Sequence, residues 1–332
     1  MYGNNRGRFL DMISIAMTTY NGEKFLREQL DSILRQIYTD FELIICDDCS
    51  TDGTWKILAE YEKKDGRIQI HQNESNLGFK KNFEKAISFC NGEYIAFCDQ
   101  DDVWEDFKLQ ISIDNIKNFP LLCTNSTITD SKLNPLGYTL KESLGIKNLP
   151  QTKDNLIKNL IHHNFVQGTT LLGNAEFIKR HLPIPEDIIF HDWYFALWAS
   201  IENNIIYLDT PTIKYRQHNT NVTDNYRKTF LKKLLTVNYN REKVLTDAKN
   251  NLCLIKIAIE NENLNSMKKY FEDSIKYYES LPEKKGYTIK YVGKYFQYME
   301  WDYSKIKKYV ILMKRTCAMI WFKLFMRRKN IT

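Results

Sequence analysis

Two clusters of carboxylates stand where chemistry is done. Asp47 and Asp48 end the apolar run FELIIC, and Asp99, Asp101 and Asp102 follow YIAFC, with Gln100 between the first two. A third polar group, Thr18, Thr19, Tyr20 and Asn21, follows MISIAM. In open α/β sheets ligands bind at the carboxyl ends of the strands. Five carboxylates meeting on one such edge repel one another, unless a divalent cation or the hydrogen-bond donors of a ligand neutralise them. Hard cations such as Mg²⁺ take oxygen ligands, often one or two carboxylates plus substrate phosphates. One Asp-Asp after a strand is ordinary turn chemistry; two pairs at successive strand ends go beyond it. Neither G-x-G-x-x-G nor G-x-x-x-x-G-K-[ST] occurs. A nucleotide held by metal and carboxylates, without a glycine cradle, is the reading left standing.

The elements that must present these groups alternate. MISIAMT (12–18) is a buried strand, and Phe25, Leu26, Leu30, Ile33, Leu34 and Ile37 recur at helical spacing. FELIICDD (41–48) is a second strand; S-T-D-G-T (50–54) supplies a turn and a helix start, and Trp55, Ile57, Leu58 and Tyr61 face one side of the next helix. RIQIH (67–71) alternates as a strand, Leu77 to Phe89 reads as a helix, and YIAFCD (94–99) is again a strand. This β-α-β-α-β order predicts an α/β fold, a mostly parallel sheet with helices on both faces. Further on, LLCTNSTITD (121–130) and TTLLGN (169–174) read as strands, His191 to Ile201 as a helix, and IIYLD (205–209) and TIKYRQ (212–217) as two strands separated by Pro211. From Asn225 onward Lys, Tyr, Leu, Ile and Asn recur at helical spacing, which predicts several helices.

With 332 residues, 43% hydrophobic and 27% charged, the chain is ordinary globular material, which excludes disordered, collagen-like and disulfide-scaffold classes. Seven cysteines cannot all pair, and MYGNNRGRFLD is polar; both point to a reduced, cytosolic compartment. Cys46 and Cys49 form a lone C-x-x-C, but Asp47 and Asp48 between them oppose a thiolate, so the pair reads as two thiols at a strand end. Net charge is +6, unevenly placed: residues 1–224 hold 23 Lys and Arg against 31 Asp and Glu, residues 225–332 hold 24 against 10. Such asymmetry predicts a basic region that meets an anionic surface, or else a solvated helical bundle. Between 305 and 329 nine Lys and Arg occur with no acid, while Ile306, Val310, Met313, Cys317, Ile320 and Leu324 line one helical face. This reads as an amphipathic helix able to lie in a membrane interface; packing on neighbouring helices or on a second copy of the chain is the alternative. No window of about 18 apolar residues occurs, so no transmembrane helix is implied.

The stretches TTYNGEKFLREQLDSILRQ, DFELIICDDCSTDGT and GEYIAFCDQDDVW together resemble the nucleotide-binding half of family-2 glycosyltransferases with the GT-A fold. The resemblance is dense over 12–110 and looser to 224, where HNFVQGTTLLGN, HDWYFALWAS and YRQHNTNVT are similar to bacterial rhamnosyltransferases of cell-wall and capsular polysaccharide assembly. It implies a glycosyltransferase domain over 1–224, with a nucleotide-binding half at 12–110 and an acceptor half at 111–224, followed by a basic helical region at 225–332. It places Thr18 and Tyr20 beside the nucleoside, with the Tyr20 ring against the base. Asp48 accepts the N3–H of uracil or thymine, supported by Asp47, and Lys80, Lys81 and Asn82 face the nucleotide. Asp101 of the D-x-D element Asp99-Gln100-Asp101 coordinates the metal on the diphosphate, with Asp99 near the ribose or metal. Asp192 is the catalytic base, and Asp102, His191, Trp193 and Arg216 belong to the acceptor or phosphate side. Q-x-x-R-W of processive synthases is absent; Tyr215-Arg216-Gln217-His218 stands near that region, making Arg216 and His218 phosphate or metal contacts. His218 as a hydrogen-bonded loop histidine, and Asp192 as a favourable acid in the first turn of a helix, are the ordinary alternatives.

The implied reaction is a single displacement with inversion, using Mg²⁺ or Mn²⁺. The donor is a pyrimidine nucleotide-sugar, dTDP-L-rhamnose first and UDP-hexoses next. The acceptor is a lipid-linked oligosaccharide or polysaccharide, and the expected place is the cytoplasmic face of the plasma membrane, in peripheral contact through 305–329. A non-catalytic sugar-nucleotide binder and a basic nucleic-acid-binding protein are the competing classes; nucleic acid is not expected as a partner, since no recognition module accompanies the basic residues.

Overall fold

The computed structural model describes residues 11–146, 148, 152–218 and 241–279. In chain order the elements are β1 (Ile13–Thr19), α1 (Leu26–Leu34), β2 (Phe41–Asp47), α2 (Thr54–Lys64), β3 (Ile68–Gln72), α3 (Phe79–Phe89), β4 (Tyr94–Cys98), β5 (Val103–Trp104), α4 (Lys108–Ile116), β6 (Leu121–Thr129), β7 (Pro135–Thr139), α5 (Leu140–Leu144), α6 (Lys153–Leu160), β8 (Leu171–Asn174), α7 (Ala175–Arg180), α8 (His191–Glu202), β9 (Ile205–Arg216), α9 (Arg241–Ile259) and α10 (Lys268–Glu279). They form two compact units. The first is Met1–Leu140, Phe165–Ile184 and Phe190–Asp224; the second is Lys141–Asn164, Pro185–Ile189 and Asn225–Thr332. In this grouping 141–164 and 185–189 go with the later part of the chain.

In the first unit one sheet runs β3-β2-β1-β4-β8-β6-β9-β5, with β7 beside β6. β1 is its axis: every residue of it is buried, and it pairs in parallel with β2 and β4 on its two sides. A strand covered on both faces has no reason to alternate, which is why ISIAMTT and FELIICD read as continuous apolar runs. The Ile13, Ile15, Met17, Leu43 and Ile45 side chains pack with Leu26, Leu30 and Ile33 of α1 and with Ile57, Leu58 and Tyr61 of α2 in one core cluster. Parallel β1, β2 and β4 all point their carboxyl ends the same way. Beyond β4 the order turns antiparallel at β8.

Several elements depart from expectation. α1 ends at Leu34 and leaves Ile37 60% exposed, although its spacing put it on the buried face. α3 begins at Phe79, after Gly78 at φ +80, because the Leu77 and Gly78 amides are already held by Asp48. β9 runs unbroken through Pro211, where two strands were expected. Its register against β6 slips between Thr124 and Asn125, Leu208 facing the first and Pro211 the second, so the extra residues form a bulge that accommodates a residue without an N–H. β5, with two residues, and β7 carry no periodic signal.

In the second unit, the His162 imidazole lies between the Tyr270 and Tyr278 hydroxyls, 2.8 Å from each. Asn251 donates to the Ile161 carbonyl at 2.8 Å, and Asn250 accepts the Ile189 N–H at 2.8 Å. These bonds join 141–164 and 185–189 to α9 and α10. The amphipathic stretch 305–329 lies outside the described residues. Among the described residues no helix is long and apolar enough to cross a membrane.

Gly92 marks where β4 is pressed against the start of β1. A Cβ there would stand 2.5 Å from the Met12 carbonyl oxygen and 2.7 Å from the Ser14 nitrogen, backbone atoms that cannot step aside. Gly92→Ala is therefore expected to lower stability by about 1–3 kcal/mol through overpacking. Chemical denaturation reads it, and an unchanged midpoint would show that the two strand ends are not locked together.

Candidate active site

The ends of β1 and β2 are sewn together by their own acids. Asp47 accepts from the Thr19 hydroxyl at 2.9 Å, the Ser50 hydroxyl at 2.5 Å, the Ser50 amide at 3.0 Å and Gln72 at 3.2 Å. Asp48, only 3% exposed, accepts from Asn73 at 2.7 Å, the Leu77 amide at 2.8 Å and the Gly78 amide at 2.9 Å. A carboxylate offers about four acceptor sites, so Asp48 spends most of its capacity on the 73–78 loop. Asn82 belongs to the same network, buried, donating to the Cys46 carbonyl and accepting from Asn73. Lys81 pairs with Glu84 on its own helix at 2.8 Å. Thr18 is buried, whereas Tyr20 stands 47% exposed at the rim, and Lys80 is half-buried near the start of α3. Burial pushes the Cys46 thiol up to about 12, the opposite of a reactive thiolate, and both Cys46 and Cys49 are free.

After β4 the acids have fewer such donors among the described residues. Asp99 is raised to about 7 by burial and by the charges of Asp101 and Asp192, both of which therefore act on it. Asp101 Oδ2 meets His218 Nε2 at 2.8 Å, and the His218 ring lies 4.9 Å from that of Phe25. Asp102 is fully buried. One oxygen accepts the Arg216 amide at 3.1 Å; burial and the charges of Asp101 and Asp99 raise its pKa well above the usual carboxylate value, opposed in part by that amide and by the Thr169 hydroxyl. Arg216, expected at a phosphate, is buried instead. Its Nε donates to the Asp101 carbonyl at 2.7 Å, one terminal nitrogen donates to the Ser131 carbonyl at 2.9 Å, the other binds Glu28, and the guanidinium lies over Phe25. It braces the acid loop from behind. Lys108, fully enclosed, places its ammonium 4.7 Å from the Trp104 ring, and burial lowers it to about 8.

Asp192 stands in the first turn of α8, where the helix dipole favours an acid, and one of its oxygens accepts the Trp193 amide at 2.6 Å. Asp192 and Trp193 are both largely buried. Gly168 lets this helix start come close: a Cβ there would lie 2.8 Å from His191 Nε2 and 3.9 Å from the Asp192 Cβ. His191, expected on the acceptor or phosphate side, lies among aromatic rings. Its ring packs 4.3 Å from Phe83 and 5.1 Å from Phe97, with neither nitrogen bonded among the described residues, and burial holds it neutral, down to about 3.

The structure thus gathers Asp99, Asp101, Asp192 and His218, with Asp47, Asp48 and Tyr20 along the same edge. It turns Arg216, Asn82 and His191 to internal roles. Glu28, Gln100, Asn73 and Lys108 take part without having been read from sequence; Gln100 alone carried a signal, as the middle residue of D-x-D. No three His, Cys, Asp or Glu among the described residues are close enough to cage a metal by themselves. Asp101 and His218, 2.8 Å apart, are residue types that could hold a divalent cation completed by substrate phosphates.

The neutral His191 has a pH consequence. The unfolded chain takes up its proton near 6.5 while the folded chain refuses it down to about 3, so stability is present above pH 6.5 and lost as pH falls. Between pH 6.5 and 5 this removes about 2 kcal/mol. His191→Phe is expected to shrink the loss over that interval by that amount; denaturant titrations at both pH values check it, and an equal loss in both proteins would place the imidazole in water.

The match to the family described as "Glycosyl transferase family 2" covers residues 14–181. The chain is 32% identical over 214 residues to the dTDP-rhamnosyl transferase RfbG of Shigella flexneri, covering 62% of this chain and 72% of that protein. It is 30% identical over 223 residues to the UDP-Glc:alpha-D-GlcNAc-diphosphoundecaprenol beta-1,3-glucosyltransferase WfgD of Escherichia coli, covering 64% and 80%. The crystal structure of S. aureus TarS 1-349 in complex with UDP-GlcNAc superposes with a TM-score of 0.55 at 19% identity, covering 87% of this chain and 81% of that one, which places the fold in the GT-A class. On the matched domain and the RfbG similarity, the chain belongs to glycosyl transferase family 2.

Proposed function

We propose that the chain is an inverting, metal-dependent glycosyltransferase of bacterial cell-surface glycan synthesis. Its donor is a pyrimidine nucleotide-sugar, dTDP-L-rhamnose foremost, and its acceptor a lipid-linked or polysaccharide glycan. The observation that carries this is the contact of Asp101 with His218 at 2.8 Å just after β4, where Asp99 also feels the Asp192 charge, on the edge where Tyr20 is exposed. The dTDP-rhamnose preference is supported by the similarity to RfbG; the WfgD similarity and the TarS fold support a UDP-sugar as the second reading. A lipid diphosphate acceptor is supported by the WfgD name. A cytoplasmic, membrane-peripheral site through the basic stretch 305–329 belongs to the same reading.

The chemistry follows from what each residue can do. An acceptor hydroxyl is a poor nucleophile, and the Asp192 carboxylate takes its proton as the new C1–O bond forms. The bond from C1 to the diphosphate oxygen breaks on the opposite face, which inverts the anomeric centre. Bound by Asp101 and His218, a divalent cation would neutralise charge on the leaving diphosphate. Tyr20 covers the base, and Asp48, through its remaining acceptor capacity, takes the N3–H. A retaining double displacement would need a second carboxylate as nucleophile; none is assigned that role.

Asp192→Asn keeps shape but cannot take the proton, so kcat is expected to fall about 10²–10⁴-fold with donor Kd nearly unchanged. Near-normal transfer by a folded variant would remove Asp192 from the base role. Asp101→Ala is expected to abolish metal-dependent binding of dTDP and UDP. Calorimetry with and without Mg²⁺ reads this, and equal affinity for the parent and the variant would overturn the metal assignment.

A further inference from the structure

Gln100 sits between the acids of the D-x-D element, and its side chain is spent on the loop after β1. Its Oε1 accepts the Tyr20 amide at 2.8 Å, and its Nε2 donates to the Tyr20 carbonyl at 3.0 Å. This two-point clasp copies a strand pairing with one side chain. The space it occupies explains Gly22: an added Cβ would meet Gln100 Oε1 at 2.2 Å, Cδ at 2.4 Å and Nε2 at 3.0 Å, the three nearest atoms all belonging to that amide. The Gly22 carbonyl in turn accepts the Phe25 and Leu26 amides that start α1. Glu28 on α1 holds Arg216, and Arg216 Nε returns to the Asp101 carbonyl. The acid loop is therefore tied to the β1–α1 segment twice, through the Gln100 side chain and through the backbone of Asp101.

We infer that Gln100 is a positioning residue that keeps Tyr20 and Asp101 in register, so that the base and the diphosphate of one nucleoside diphosphate are held together. The inference rests on the nucleotide-sugar reading above. Free of the clasp, the exposed Tyr20 would wander relative to Asp101, and a ligand spanning both would lose the benefit of binding both at once.

The experiment is a double-mutant cycle on Kd for dTDP and UDP with Mg²⁺, using the full chain, Gly22→Ala, Gln100→Ala and the double variant. Each single change is expected to weaken the nucleotide about tenfold, the size of two lost neutral hydrogen bonds. The double variant is expected to match Gln100→Ala alone, because alanine at 22 harms only by evicting that amide. Thermal midpoints without nucleotide should be similar among the variants, separating positioning from folding. Additive losses, or an unchanged Kd in Gln100→Ala, would overturn the inference while leaving the donor site in place. A parent chain that binds neither nucleotide overturns the donor reading itself. Should Gly22→Ala not fold, Gln100→Ala still decides, by its own Kd.

Discussion

Concentrated negative charge at the carboxyl edge of a parallel sheet is the constraint from which this site is built. The chain meets it in two ways. Asp47 and Asp48 are surrounded by amides and hydroxyls from loops about 25–30 residues distant, so their charge is compensated from within. At Asp99, burial and the charges of Asp101 and Asp192 raise the affinity for a proton. The first pair organises; in the second group like charges act on Asp99, which sets a demand for compensating donors or cations. A polypeptide that keeps such a demand invites a cation or a ligand rich in donors, and the division of labour between adjacent strand ends follows.

Around that demand the supporting residues form a second layer. Arg216, Glu28 and Phe25 stack behind the acid loop; Lys108 and Trp104 enclose it from α4 and β5. None of these cations faces the rim. Their effect is to offset part of the desolvation of Asp101 and Asp102 without neutralising the edge, a balance that a surface lysine could not strike. The buried, neutral His191 does the same kind of work by packing: it fills the space beside Phe83 and Phe97 so that the first turn of α8 arrives at a fixed height.

Much of this was legible in the residues. The buried parallel strands announce themselves as unbroken apolar runs, and the acids at their ends mark the edge without any structure. The direction in which each polar side chain turns was not legible. Arg216 and His218 are two residues apart in one motif, yet one is buried behind Asp101 and the other meets its carboxylate. His191 and Asp192 are neighbours, yet one packs among rings and the other takes the acid position of a helix start. Such assignments depend on contacts between residues far apart in sequence, which spacing does not encode. The bulge at Pro211 was hidden for the same reason: a proline reads as a strand end until its partner strand is known to slip.

The two ends of the sheet are unequal, β3 having five residues and β5 only two. A strand of two residues presents almost no ladder for another chain to join, whereas β3 at the opposite edge alternates Ile68 and Ile70 with Gln69 and His71. At the β5 edge, a second copy of the chain would have to be held by side chains rather than by continuing the ladder.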